Sequence, residues 1–109
     1  MVIELRRHED LDQLIERSSR DPILIFKHST QCSISSAAYE AFSHFVESES
    51  SLTCGVVLVI EDRDISNRIE TDLEVPHESP QAIVVRGGRA VWSASHWAIT
   101  SESLKKAVS

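Results

Sequence analysis

The apolar residues of this chain fall into short continuous runs, separated by longer stretches in which they recur every three or four positions. The continuous runs, residues 23–26, 56–60 and 81–85, predict strands that are buried on both faces of a sheet. The periodic stretches, residues 8–19, 34–46 and 65–73, predict amphipathic helices with one apolar face each. Strand and helix therefore alternate along most of the chain.

The last third of the chain predicts a hairpin followed by a helix. Gly87 and Gly88 make a tight turn between the third strand and a fourth at residues 89–94, and Thr100 or Ser101 caps the final helix. Because a helix joins the first two strands, we expect them to be parallel with a right-handed connection. The resulting α/β order, α-β-α-β-α-β-β-α with a four-stranded mixed sheet flanked by helices, is that of the thioredoxin-like fold.

Length and composition fit a single domain over residues 1–109. The formal net charge of -6 and the lack of a basic run argue against a nucleic-acid partner. No apolar run has the length of a membrane span or the pattern of a secretion signal, so we expect a cytoplasmic protein without a membrane partner. Two cysteines far apart in such a sequence indicate free thiols in a reducing compartment.

Cys32 lies where the first strand stops and the second helix begins. Backbone N–H groups and the helix dipole at that place stabilise a thiolate, and Lys27 and His28 are close in sequence. We therefore expect the pKa of the Cys32 thiol to lie below its ordinary value of about 8.5. A buried structural cysteine is the alternative, because free cysteine is usually a small core residue. The polar loop at residues 29–31, directly before Cys32, favours the reactive thiol.

Three motifs in the chain carry a family resemblance. They are Lys27-His28-Ser29-Thr30-Gln31-Cys32-Ser33-Ile34-Ser35, His77-Glu78-Ser79-Pro80-Gln81-Ala82 and Ser95-His96-Trp97-Ala98-Ile99-Thr100. Together they resemble the monothiol bacilliredoxins (YtxJ-like proteins), thioredoxin-like proteins of bacteria that use the small thiol bacillithiol in place of glutathione. The resemblance covers nearly the whole chain. Ser33 departs from it, because the family has proline there; proline would pre-set the helix, so the difference bears on rate and redox poise.

The resemblance implies a monothiol thiol-disulfide oxidoreductase that removes bacillithiol from client proteins. The Cys32 thiolate would attack the bacillithiol sulfur of a mixed disulfide, and a second bacillithiol would clear it. Bacillithiol is then a co-substrate, no cofactor is bound, and an NADPH-dependent bacillithiol disulfide reductase acts indirectly. A redox-inert thioredoxin-like adaptor and a thiol peroxidase stay open as alternatives, although peroxidases of this fold place threonine three residues before the cysteine and Thr30 is two before it.

The resemblance also implies roles for other motif residues. His28 is expected to act in catalysis by positioning the loop and stabilising the thiolate. In thioredoxin-like proteins the proline before the third strand is cis, and the backbone just before it pairs with the incoming disulfide, which implies that role for Ser79 and Pro80. The substrate-binding residues that we expect are Lys27, Thr30, Gln31, Ser35, Asn67, Arg68, Ser79, Pro80, His96 and Trp97.

Bacillithiol carries a malate with two carboxylates, so its pocket needs local positive potential. Lys27 beside the polar loop is one expected source. The N-termini of the third and fourth helices are two others, because helices that follow parallel strands begin at the same edge of the sheet. We expect Ser66, Asn67 and Arg68 to bind the malate and Trp97 to lie beside the sugar.

The motifs also contain three histidines, His28, His77 and His96, which leave a metal site or an iron-sulfur cluster between two monomers as an alternative. Their spacing fits no closed tetrahedral signature, so we expect no metal. Cys54 precedes the second strand and Cys32 follows the first, which puts them at opposite ends of a parallel pair. A strand spans roughly 17 to 20 Å and a disulfide needs Cα atoms within about 7 Å. Cys54 should therefore be a structural thiol that does not pair with Cys32.

Overall fold

The computed structural model of the protein describes residues 1–31, 33–49 and 51–109. Within these residues the chain forms one five-stranded sheet with helices on both faces. The strands are β1 (Val2–Glu4), β2 (Ile23–His28), β3 (Thr53–Leu58), β4 (Gln81–Arg86) and β5 (Arg89–Ser95). The helices are α1 (His8–Arg17), α2 (Ser33–Ser48), α3 (Arg63–Leu73) and α4 (Ser101–Val108), with a short 3-10 helix at His96–Ala98. None of the described helices is long and apolar enough to cross a membrane.

The sheet has the strand order β1-β3-β2-β4-β5. β1, β2 and β3 are parallel, whereas β4 is antiparallel to β2 and forms a hairpin with β5. The predicted mixed sheet is confirmed, but the prediction of four strands missed β1. Only Ile3 of this short strand packs against the core, so the sequence carries no period-2 pattern that would announce it.

β3 begins earlier than the apolar run predicted, so Cys54 lies inside the strand rather than before it. Cys54 pairs in register with Leu24, near the start of β2, at the far end of the strand from His28. The next residue, Gly55, lies under α1: a Cβ at this position would be 2.5 Å from Leu14 Cδ2. The absence of a side chain at Gly55 therefore lets α1 pack closely on β3.

β2 is the central strand and is buried on both faces, as its continuous apolar run predicted. Ile23 and Ile25 belong to the core under α1 and α3, whereas Leu24 and Phe26 belong to the core under α2 and α4. Because side chains alternate along a strand, Lys27 continues the α1/α3 side and His28 the α2/α4 side. The last two residues of β2 therefore send their side chains to opposite faces of the sheet.

The three sequence motifs meet at one edge of the sheet. Lys27, near the end of β2, pairs with Gln81 at the start of β4, and Gln81 also pairs with Ser95 at the end of β5. The bond between Ser79 and Pro80, directly before β4, is cis, as the resemblance implied. This edge carries the candidate site.

Candidate active site at the polar loop

Ser35 connects β2, the polar loop at residues 29–31 and α2. Its Oγ accepts a hydrogen bond from the Ser29 N–H at 2.9 Å and lies 2.7 Å from His28 Nδ1. The Ser35 side chain is fully buried. The expectation that Ser35 binds substrate is corrected, because a buried hydroxyl with two internal partners holds the loop instead.

The His28 ring packs against aromatic side chains of the α2 side. It stacks on Tyr39 with ring centroids 4.7 Å apart and contacts Phe26. Burial lowers the pKa of His28, and the nearby Glu61 carboxylate opposes that shift. A neutral ring positions the loop through its hydrogen bond to Ser35 but brings no charge to a thiolate. The ring also lines a cavity of about 230 Å³ between β1, β3 and α2.

Lys27 is fully buried on the other side of the sheet. Its Nζ lies 3.0 Å from His77 Nδ1, and Glu70 Oε2 accepts from the His77 N–H at 2.7 Å. Burial lowers the pKa of Lys27 to about 8, with the Glu70 carboxylate raising it in part. Lys27 was expected to supply positive potential for the substrate beside the polar loop; this is corrected, because its ammonium lies beneath the surface and does not offer an exposed contact.

The segment at residues 76–80 is held against the sheet by hydrogen bonds from its neighbours. Gln81 Nε2 donates to the Pro76 carbonyl at 3.1 Å, and the His96 N–H donates to the Pro80 carbonyl at 3.1 Å. Pro80 is buried and Ser79 is half-buried. These bonds connect the end of β5 to the segment that contains the cis bond, and we call this part of the sheet edge the rim.

His96 and Trp97 lie on this rim. The His96 backbone has φ of 55°, and its Nε2 lies 3.7 Å from Glu78 Oε2. Trp97 is 71% exposed, so it does not pack beneath the last helix. An exposed aromatic face beside the cis bond is available to stack on a bound molecule.

The polar loop itself is exposed and lies beside a carboxylate. Thr30 and Gln31 are both exposed, and Thr30 Oγ1 is 3.5 Å from Glu61 Oε2. Sequence reasoning missed Glu61, because only the fold brings the turn after β3 to the loop after β2.

Asn67 and Arg68 differ in their surroundings, although they are neighbours in α3. Asn67 is exposed. The Arg68 guanidinium forms ion pairs with Asp12 of α1 and Asp72 of α3. Two carboxylates already neutralise this arginine and hold it against α1, so its predicted role as the malate-binding cation is corrected.

Of the two cysteines, only Cys54 lies within the described residues. Cys32 lies outside the described residues, and its role stays a prediction from the sequence. Cys54 is free and fully buried, and burial raises the pKa of its thiol to about 12. An inert structural thiol was expected at this position. Among the described residues, no group of three or more histidine, cysteine or acidic side chains is arranged to hold a metal.

Solved structures with this architecture define the class of protein. A Fasciola hepatica thioredoxin superposes with a TM-score of 0.79 at 13% identity, covering 97% of this chain and 95% of that one. A Nicotiana alata thioredoxin gives 0.78 at 13%, covering 98% and 89%. A structure described as a candidate oxidoreductase with a thioredoxin fold gives 0.87 at 34% identity, covering 97% and 92%. The fold is that of the thioredoxin-fold oxidoreductases.

The family model of the monothiol bacilliredoxin BrxC matches residues 3–104. The chain belongs to this family, as its three motifs indicated.

Proposed function

We propose that this protein removes bacillithiol from protein mixed disulfides through the thiolate of Cys32. The observation that carries the proposal is the family match, which spans residues 3–104. The meeting of all three motifs at one sheet edge supports it further. Enzymes of this chemistry need a thiol, a backbone that pairs with the disulfide and a surface for the thiol adduct at one place.

The reaction proceeds by two thiol-disulfide exchanges. In the first, the Cys32 thiolate attacks the bacillithiol sulfur, a bond between Cys32 and bacillithiol forms, and the client protein leaves as a thiolate that takes up a proton. In the second, the thiolate of another bacillithiol attacks the same sulfur, which releases bacillithiol disulfide and restores Cys32. Bacillithiol supplies the electrons, so the protein needs no cofactor. An NADPH-dependent reductase then recycles the bacillithiol disulfide.

The described residues have separate tasks in this reaction. Ser35 and His28 hold the polar loop, while the backbone of Ser79 pairs with the disulfide beside the cis bond to Pro80. Trp97 stacks on the adduct from the end of the rim, and Thr30 and Gln31, which are both exposed, contact it from the loop. His96 closes the rim through its N–H bond to the Pro80 carbonyl.

The malate of bacillithiol needs a cation other than the buried Lys27 and the neutralised Arg68. Arg63 is exposed and is the first residue of α3, which begins after β3 at the same sheet edge as the polar loop. We assign Arg63 and the exposed Asn67 to the malate.

One client protein carrying either bacillithiol or glutathione tests this function. The wild type should reduce the bacillithiol adduct faster. Arg63→Ala should slow only that reaction, by about two- to fivefold for an exposed charged contact. Arg68→Ala is the matched control, because it removes an arginine of the same helix that is already paired.

Equal rates for both adducts would contradict the selectivity. A preference that survives both Arg63→Ala and Asn67→Ala would discard this malate site alone. No reduction of either adduct would favour a redox-inert adaptor, and rapid consumption of hydrogen peroxide would favour a thiol peroxidase.

A further inference from the structure

A buried polar cluster lies beneath residues 76–80 on the α1/α3 side of the sheet. Lys27 has an exposed fraction of 0%, and Gln81 faces it across the β2–β4 pairing. Within the described residues, Gln81 Oε1 and the hydroxyls of Ser66 and Ser79 are buried without hydrogen-bond partners. Burying a cation beside an incompletely paired amide such as that of Gln81 costs stability. The cluster therefore requires an explanation other than stability.

The Lys27 contact selects one form of the His77 ring. An ammonium can only donate hydrogen bonds, so Nδ1 of His77, 3.0 Å away, must accept. The ring is then neutral with its proton on Nε2. The two ring nitrogens face different directions and His77 is exposed, so this Nε2–H points away from Lys27.

The backbone of His77 is also held by a hydrogen bond. Glu70 Oε2 accepts from the His77 N–H at 2.7 Å. Two residues further on, the chain reaches the cis bond between Ser79 and Pro80. The donor nitrogen of the ring is thus fixed from two directions close to the backbone that pairs with a disulfide.

We propose that Lys27 is a positioning residue that acts through His77. It fixes a neutral imidazole whose Nε2–H donates to a carbonyl or carboxylate oxygen of the disulfide substrate bound beside Ser79 and Pro80. This inference rests on the proposed function, because it needs a disulfide substrate at that rim.

The charged groups around His77 agree with a neutral ring. Burial and then Lys27 lower the pKa of His77, Glu70 and Glu78 raise it, and Arg63 lowers it further, with a lower pKa as the net result. In acid, a protonated ring would carry a hydrogen on Nδ1 and could no longer accept from Lys27. The contact should therefore be lost below the pKa of His77.

NMR of the imidazole nitrogens tests the first half of the proposal without any substrate. In the wild type, His77 should be almost entirely in the Nε2–H form. In Lys27→Met, both neutral forms should be present and the pKa of His77 should rise, because a neighbouring cation is removed. Lys106→Met, which removes an exposed lysine of α4, should change neither.

Steady-state kinetics test the second half. Loss of one hydrogen bond should raise KM about fivefold in Lys27→Met and in His77→Asn, with kcat within about twofold of the wild type. Asparagine keeps the acceptor that faces Lys27 but not the outer donor. His77→Gln, whose amide can replace the outer donor, should keep a KM near that of the wild type. The double variant Lys27→Met/His77→Asn should be no worse than either single variant, because one residue acts through the other.

The outcomes separate the positioning role from the enzyme's overall function. A wild-type His77 in the Nδ1–H form, or an unchanged KM in His77→Asn, would overturn the positioning role. An inactive wild type would refute the proposed function and the substrate contact with it. Because His77 is exposed, its variants should fold even if Lys27→Met does not, so the test stays decisive. His44→Asn on α2, which also replaces an exposed histidine, is their control.

Discussion

Replacement of Ser35 by alanine should destabilise the protein without abolishing its activity. The substitution removes the Oγ that accepts from the Ser29 N–H at 2.9 Å and that contacts His28 Nδ1 at 2.7 Å. Ser35 is 0% exposed and Ser29 is 9% exposed, so water cannot easily replace the lost acceptor. An unsatisfied buried N–H group is therefore left behind.

The expected loss follows from that group. Leaving a buried donor without a partner costs about 1 to 3 kcal/mol. Alanine gains a few tenths of a kcal/mol in helix propensity over serine. Ser43→Ala in the same helix makes the same gain and, within the described residues, loses no hydrogen bond. The difference between the two variants should therefore be about 1 to 3 kcal/mol, or about 4 to 12 °C in melting temperature.

Thermal and denaturant unfolding of both variants, followed by circular dichroism, measure this difference. Activity on a bacillithiolated protein should fall in Ser35→Ala, because His28 and the polar loop lose their common partner, but it should persist, because no hydroxyl is needed for the exchange. Equal stability of Ser35→Ala and Ser43→Ala would refute the role of Ser35 in holding the loop.

Four further predictions concern single residues. Cys32→Ser should abolish turnover and leave the melting temperature unchanged; retained activity would contradict the mechanism. Cys54 should resist alkylation in the native protein at pH 8, because burial raises the pKa of its thiol to about 12, and mass spectrometry of trapped adducts would detect the opposite. Gly55→Ala should cost about 1 to 3 kcal/mol of unfolding free energy through overpacking against Leu14, and an unchanged denaturation midpoint would contradict it. Because the pKa of Lys27 falls from 10.5 to about 8 on folding, the unfolded chain binds more protons between these values, so stability should rise with pH across that window; Lys27→Met should show a smaller rise.

Local sequence patterns were sufficient to predict the structure of a segment wherever that structure depends mainly on the segment's own residues. The continuous apolar run in β2 predicted a strand buried on both faces, because a side chain on either face of a central strand meets a helix. Gly87 and Gly88 predicted the hairpin turn, and both have positive φ, of 59° and 77°. The cis bond before Pro80 followed only from the family resemblance, because most X-Pro bonds are trans.

Other features depended on contacts between segments that are distant in sequence. The strand at Val2–Glu4 exists because β3 offers it a free edge, along which Val2 pairs with Cys54 and Glu4 with Val56. A segment this short has no periodicity of its own. Its formation is decided by the partner strand.

The same distinction between local sequence and tertiary contacts applies to the candidate site. The sequence by itself determined the three motifs and the strands that they flank, and the strand order and direction of the fold bring these motifs to one sheet edge. Only the tertiary structure decided which charges are free to act: Lys27 became a buried donor to His77, and Arg68 was neutralised by Asp12 and Asp72. Charge in a sequence is a property of one residue, whereas burial and pairing depend on its neighbours in space.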